Sequence, residues 1–328
     1  MPISSTLYRN ARPLAVLALI SALAMTLSVS IGSSAMDLGQ TLAVLTGGGT
    51  DLQQTLVLEL RLPRTLSAFA TGGLLAVAGA LMQVLLRNPL ADPYVLGLSG
   101  GAAVGALLAM LAGVAGILVS GSAFAGAMLA TLLVFGLAHG TGSWTPSRLL
   151  LTGVVVASGW GALITLILAM TPAHRLPGML YWLMGDLSHA STPTPGLLIL
   201  LLVCLLVFPL GRSLNVLARG PMQAAALGVS VRPLEWLIYL LASVLTATAV
   251  TMAGSVGFVG LVVPHMLRLV LGNDQRVILP ACALAGGSLL VLADALARVV
   301  IAPEQLPVGV ITALVGVPTF LYLLYRSR

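Results

Sequence analysis

GSVGFVGLVVPHMLRLVLGNDQR, residues 254–276, mixes residue types that apolar segments rarely combine. Gly254, Gly257 and Gly260 recur every three residues, a spacing that leaves one side of a helix nearly flat. In lipid, which is as apolar as leucine, a flat face gains dispersion contacts when another helix comes close. Pro264 then withdraws a backbone N–H, and His265 and Arg268 stand three apart on one helical face. The apolar run is short for a full crossing and ends in Asn273-Asp274-Gln275-Arg276. Two readings stay open. One is a site or joint built from these residues; the other is a proline-kinked packing helix whose Arg268 snorkels to the interface.

Working outward, the whole chain has the same apolar background. Hydrophobic residues make up 59% of its 328 residues and charged ones 7%, with mean hydropathy +1.08. A water-facing surface would need far more charge, so the sequence predicts an all-α, polytopic protein embedded in a lipid bilayer. At about 20 residues per crossing it accommodates roughly ten transmembrane helices. All fifteen basic residues are arginine. Without lysine the chain can carry neither a standard phosphate-binding P-loop nor a Schiff base. The arginines sit singly near span ends, so the pI near 10 is no sign of nucleic acid. Cys204 and Cys282 lie in apolar runs and read as small buried hydrophobes.

In chain order, Arg9 and Arg12 precede an apolar run over 14–31, longer than the roughly 7–15 residues of a secretory leader's core. It reads as a first crossing that starts in the cytoplasm. Residues 32–54 form a polar outer loop with room for a short helix. Further crossings are expected at 65–86, 94–112, 114–138, 149–170, 196–210, 234–252, 254–271, 277–300 and up to Tyr325. Inner loops fall at 87–93, 139–148 and 211–233, and the polar stretch 171–195 lies outside. Both termini are then cytoplasmic, and only Arg61, Arg64, Arg175 and Arg298 face outward.

Those outer arginines need a reason. Arg298 has Asp294 one turn behind it, a favourable i,i+4 pair. Arg61, Arg64 and Arg298 read either as interfacial anchors or as a cationic platform that steers and docks an acidic partner. On the inner side, Arg219-Gly220-Pro221-Met222-Gln223-Ala224-Ala225-Ala226-Leu227-Gly228 reads as a turn and a short, glycine-capped alanine helix. With Met222 and Leu227 apolar and arginines at its flank, it suits insertion into a groove on a soluble partner. Trp182, Met184, Gly185 and Asp186 form either a lid over an outer cavity or an interfacial anchor. His265 has no second His or Cys at ligand spacing, and no metal site is expected. No carboxylate falls clearly at mid-membrane, where a proton- or sodium-coupled carrier would place one. A stand-alone secondary transporter or channel is the alternative function; a membrane enzyme lacks catalytic motifs.

Several of these runs together resemble the FecCD-type permeases of type II bacterial ABC importers, which take up ferric siderophores, haem and cobalamin. The resemblance is carried by Arg61-Leu62-Pro63-Arg64, Gly72-Gly73 through Ala80-Leu81-Met82-Gln83, and Arg87-Asn88-Pro89-Leu90-Ala91-Asp92-Pro93. Leu96-Gly97-Leu98-Ser99 with Gly101-Ala102, the Gly257 to Arg268 run, Asp294 to Arg298, Leu306-Pro307-Val308-Gly309 and Gly316-x-Pro318-x-Phe320 complete it. It spans nearly the whole chain and implies a single permease domain over 1–328 in the bacterial inner membrane. It further implies a homodimer around one pathway, two ATP-binding cassette ATPase subunits inside and a periplasmic substrate-binding protein outside. ATP and magnesium would be bound by the ATPase subunit, so this chain would need no cofactor and catalyse no reaction. By position, Arg61, Arg64 and Arg298 would pair with the binding protein. The loop at about 212–232, with Arg219, Gly220, Met222, Ala225, Leu227 and Gly228, would couple to the ATPase. Family pathways imply lining by Thr152, Ser158, Gly159 and Thr165, with a gate near Ser147. One departure is Gly220-Pro221-Met222-Gln223, where many relatives carry acidic residues.

Overall fold

A computed structural model describes residues 3–32, 36–139, 145–188, 190 and 192–326. The chain starts with α1 (Ile3–Ser30), α2 (Leu38–Leu45), α3 (Asp51–Gln54) and a π-helical stretch Thr55–Arg61 that runs into α4 (Leu62–Leu85). A 3₁₀ turn (Pro93–Leu96) leads to α5 (Leu98–Leu111), α6 (Ile117–His139), α7 (Pro146–Met170) and the short α8 (Leu176–Met184). Then come α9 (Thr194–Val207), α10 (Gly211–Leu217), α11 (Pro221–Ala226), α12 (Val231–Ala253), α13 (Val259–Leu271), α14 (Gln275–Ala297) and α15 (Val308–Arg326). Among the described residues seven helical segments are long and apolar enough to cross a membrane, and three shorter apolar helices, α5, α13 and α15, complete the set. The inner loop expected at 139–148 lies partly outside the described residues, as do the side chain of Arg9 and all of Arg328.

The centre of the bundle is α4. From Thr65 to Leu85 every residue but Leu66 and Phe69 is buried, and α14, α12 and α13 surround it. Glycine makes this approach possible. A Cβ on Gly72 would lie inside the carbonyl oxygen of Gly286 on α14, and one on Gly79 inside that of Gly260 on α13. Helices so close exchange lipid contacts for backbone-to-backbone dispersion. At the other extreme is α7, where only Leu149, Gly153 and Ile167 are buried between residues 147 and 170, with open space where Cβ atoms on Gly159 and Gly161 would stand.

Three sequence expectations are corrected. The second crossing does not begin near Thr65: the helix is already continuous from Asp51. Pro63 has no N–H to give and its ring would crowd the carbonyl four residues back; widening to i→i+5 bonding, as in Leu62 N–H to the Val57 carbonyl, relieves that clash without ending the helix. Residues 211–233 are not a simple loop, because the helical path of α9 continues through α10 to Leu217. Finally, Gly254, Gly257 and Gly260 do not share a helix face. Gly254 is the left-handed end of α12 (φ 66°), residues up to Phe258 (φ 69°) are non-helical, and only Gly260 lies on α13.

Candidate functional site

The break at 254–258 is a joint inside the bundle. The thirteen residues of α13 span about 20 Å, short of the roughly 30 Å apolar core, so the break supplies the remaining depth. Non-helical backbone is tolerated there only if neighbours satisfy it. Two bonds from neighbours serve it: Asp186 donates its N–H to the Ala253 carbonyl (2.9 Å), and the Val256 N–H donates to the Tyr94 hydroxyl (3.2 Å). Gly254 leaves no room for a side chain against the Trp182 carbonyl, nor Gly309 against that of Met184. The end of the Trp182–Asp186 segment thus wedges between the break and the start of α15. Below the break, Gln83 Nε2 donates to the Leu261 carbonyl (3.3 Å) and Arg268 Nη2 to that of Ala80 (3.2 Å), tying α13 to α4. Pro264 lies within α13, and His265 remains part of the inner wall without any metal-binding companion among the described residues.

At the outer end Arg64 and Arg298 meet at one carboxylate, and Arg61 caps the neighbouring helix. Asp294 is fully buried. Arg64 grips it with Nε and Nη2 (2.8–3.1 Å) and donates Nη1 to Gln305 (2.7 Å). Arg298 Nε lies 3.1 Å from the second carboxylate oxygen, while its Nη2 donates to the Ser28 carbonyl (3.0 Å) and hydroxyl (2.7 Å). Its Nη1 reaches the Ile31 carbonyl (3.0 Å). Arg61 Nη1 donates to the carbonyls of Val29 (3.2 Å) and Ser30 (3.0 Å). The last carbonyls of a helix have no intrahelical donors and carry its negative dipole end, so Arg61 and Arg298 are caps for α1. Arg175 does the same for α5, at the Leu111 carbonyl (2.8 Å). The i,i+4 pair read from the sequence is present, but it is the lesser half of Asp294's partnership. Nothing in the sequence linked Arg64 to Asp294 or Gln305; helix packing does so.

The short glycine-capped helix expected after Arg219 is present as α11. Gly220 (φ 125°) and Gly228 (φ 80°) flank α11 in left-handed conformations, with open space around both, so backbone geometry alone requires glycine there. Val229 N–H to Ala224 and Gly228 N–H to Ala225, both 3.0 Å, close the helix in a Schellman motif. Ala224 is buried against the body, whereas Met222 is 85% and Leu227 68% exposed, beside exposed Ala225 and Arg219. Two large apolar side chains are thus held outward on a short, glycine-bounded helix.

Along α7, Ser147, Ser158, Gly159 and Thr165 are exposed and Thr152 is half-buried. Ser158 and Thr165 donate to carbonyls one turn back (both 3.0 Å), leaving a face with little polarity to offer. The sequence reading passed over Gln83, Tyr94 and Asn215. Gln83, an amide inside an apolar span, was the one with a visible signal.

A ten-crossing bundle with a broken helix, a capped outer end and a protruding inner helix is the architecture of a permease subunit. The sequence profile of the FecCD transport family matches residues 19–326, and the chain belongs to that family. It is a multi-pass ABC importer permease of the FecCD type. Over 292 residues it is 41% identical to an uncharacterized ABC transporter permease, YvrB, of Bacillus subtilis, covering 86% of this chain and 82% of that one. It is 43% identical over 289 residues to the cobalamin import permease BtuC of Halobacterium salinarum (87% and 77% covered). Against the vitamin B12 import permease BtuC of Salmonella paratyphi A it is 38% identical over 323 residues (97% and 96%). A solved inward-facing ABC transporter of metal-chelate type superposes with a TM-score of 0.85 at 30% identity, covering 96% of this chain and 99% of that one.

Proposed function

We propose that this chain forms the translocating half of an ATP-driven importer in the bacterial inner membrane, carrying a large metal chelate of the cobalamin class by alternating access. Cobalamin is preferred over iron chelates because the relatives that name a cargo name that one. The observation that carries the coupling role is α11, whose Met222 and Leu227 project from a pinned, glycine-bounded helix. A chain without lysine cannot hydrolyse ATP through a P-loop, so two ATPase subunits, binding ATP and magnesium, seat that helix. A second copy of the chain covers the open face of α7, placing Thr152, Ser158, Gly159 and Thr165 along a shared path with Ser147 at its inner mouth. The break at Gly254 and Gly257 is the hinge, biased by ligands that bind one state better.

Replacing Met222 and Leu227 together by aspartate is expected to leave the thermal melting of the permease unchanged. It should weaken association with the ATPase subunits more than tenfold, measured by co-purification and titration. Unchanged association overturns the coupling role. In proteoliposomes carrying binding protein and ATPase, cobalamin uptake should require ATP. Uptake by this chain unaided would restore the stand-alone transporter.

Outside, Arg61, Arg64 and Arg298 give the rim a positive field that Asp294 only partly cancels, which favours an acidic binding protein. Arg64→Glu is a poor test, since it would set a second carboxylate against Asp294. Arg61→Gln is cleaner, because the amide keeps a donor for Val29 and Ser30. It should weaken binding-protein docking about tenfold at low salt and less at high salt. Affinity independent of both charge and salt removes the docking role.

A further inference from the structure

We propose that the inner-side cavity bounded by α4, α10, α13 and the start of α14 binds a phosphate group. The cavity has a volume of about 670 Å³, and Arg87, Arg219, Arg268 and His265 stand on its wall. Asp274 also lines it, but its carboxylate is already held by Arg276 (2.7 Å) and by the Asn215 amide (2.9 Å). These bonds hold Asp274 down at about 2, so it stays ionised yet locally neutralised. Arg87 also feels Glu235 across the α12 start. The balance at the wall is therefore cationic.

A second observation is independent of charge. Gln83 Oε1, Gln275 Oε1, His265 Nδ1 and Arg268 Nε are buried polar atoms without a hydrogen-bond partner, and all four residues line this one cavity. Gln83 is 2% and Gln275 0% exposed. Buried groups of this kind are expensive to leave unpaired, and here donors and acceptors are interleaved. The guanidinium forks on the same wall suit a phosphate group, whose oxygens accept from them.

Two sources offer this chemistry. Leu269 on the cavity wall and Val270 beside it are exposed apolar side chains, so acyl chains could continue outward from a headgroup held inside. Basic pockets between helices on the cytoplasmic side commonly take anionic lipid headgroups. The other source is free phosphate from the cytoplasm.

The test uses the full-length protein purified from membranes with whatever subunits accompany it, then delipidated. Thermal melting and native mass spectrometry are recorded with inorganic phosphate, with phosphatidylglycerol and with matched chloride. The wild type is compared with Arg87→Gln/Arg268→Gln and, as a control, Arg12→Gln, an exposed arginine not on the cavity wall. A retained adduct and a rise in melting temperature with phosphatidylglycerol alone identify a lipid headgroup; the same with inorganic phosphate identifies the free ion. In either case the double variant should lose at least tenfold in affinity and the control nothing. Should the double variant not fold, Arg87→Gln alone carries the comparison. No protection of the wild type by either phosphate source, or equal loss in the Arg12 control, overturns the site. None of these readouts requires transport, so the result stands apart from the proposed cargo and coupling.

Discussion

Asp294→Ala is expected to be among the most damaging single substitutions in this protein, costing about 3–5 kcal/mol. Asp294 is fully buried and lies between Arg64 and Arg298, themselves largely buried and aligned by the carbonyls of Ser28 and Ile31 and by Gln305. Removing the carboxylate deletes two charge-assisted contacts. It also leaves guanidinium groups desolvated with only neutral partners, and that second effect is the larger. Asp294→Asn retains one acceptor but not the charge, and should fall between the two. The measurement is thermal unfolding of the detergent-solubilised chain followed by size exclusion. An Ala variant within about 1 kcal/mol of wild type would mean that water reaches this cluster freely.

Gly79→Ala should have a comparable effect for a steric reason. Its new methyl would occupy the position of the Gly260 carbonyl, and both partners are backbone, so no side chain can swing aside. The helices must separate, weakening the Gln83 and Arg268 bonds that join the same two elements. Overpacking costs typically about 1–3 kcal/mol, and backbone against backbone belongs at or above the upper end. Gly159→Ala is the matched control: a Cβ there meets nothing within 4 Å, so melting should not change. If the two variants melt alike, the close approach of α4 and α13 is wrong.

Much of the site was visible before any coordinates. The short, glycine-bounded helix at 221–226 is encoded locally, by Pro221 at its first turn and by Gly220 and Gly228 in conformations that favour glycine. The arginines at 61, 64 and 298 were conspicuous because charge in an apolar chain is rare. What spacing could not show is that these guanidinium groups turn inward, to cap α1 and to hold Asp294. The glycine repeat misled: its spacing matches a helix face, but Gly254 serves a left-handed turn and only Gly260 serves helix contact.

What the sequence by itself determined is everything that depends on solvent preference and local backbone chemistry. Its hydropathy marks the apolar helices, and its prolines and glycines mark where several of them start, widen and stop. Only the tertiary structure decided which distant groups meet. It joined Arg64 to Asp294 across 230 positions, laid Gly79 against Gly260, and gathered Gln83, His265, Arg268 and Gln275 around one cavity. The physical reason is that lipid satisfies an apolar side chain on any face of a helix equally well. Hydropathy therefore cannot say which face turns inward, and that choice falls to close packing and to the few polar atoms that must find partners.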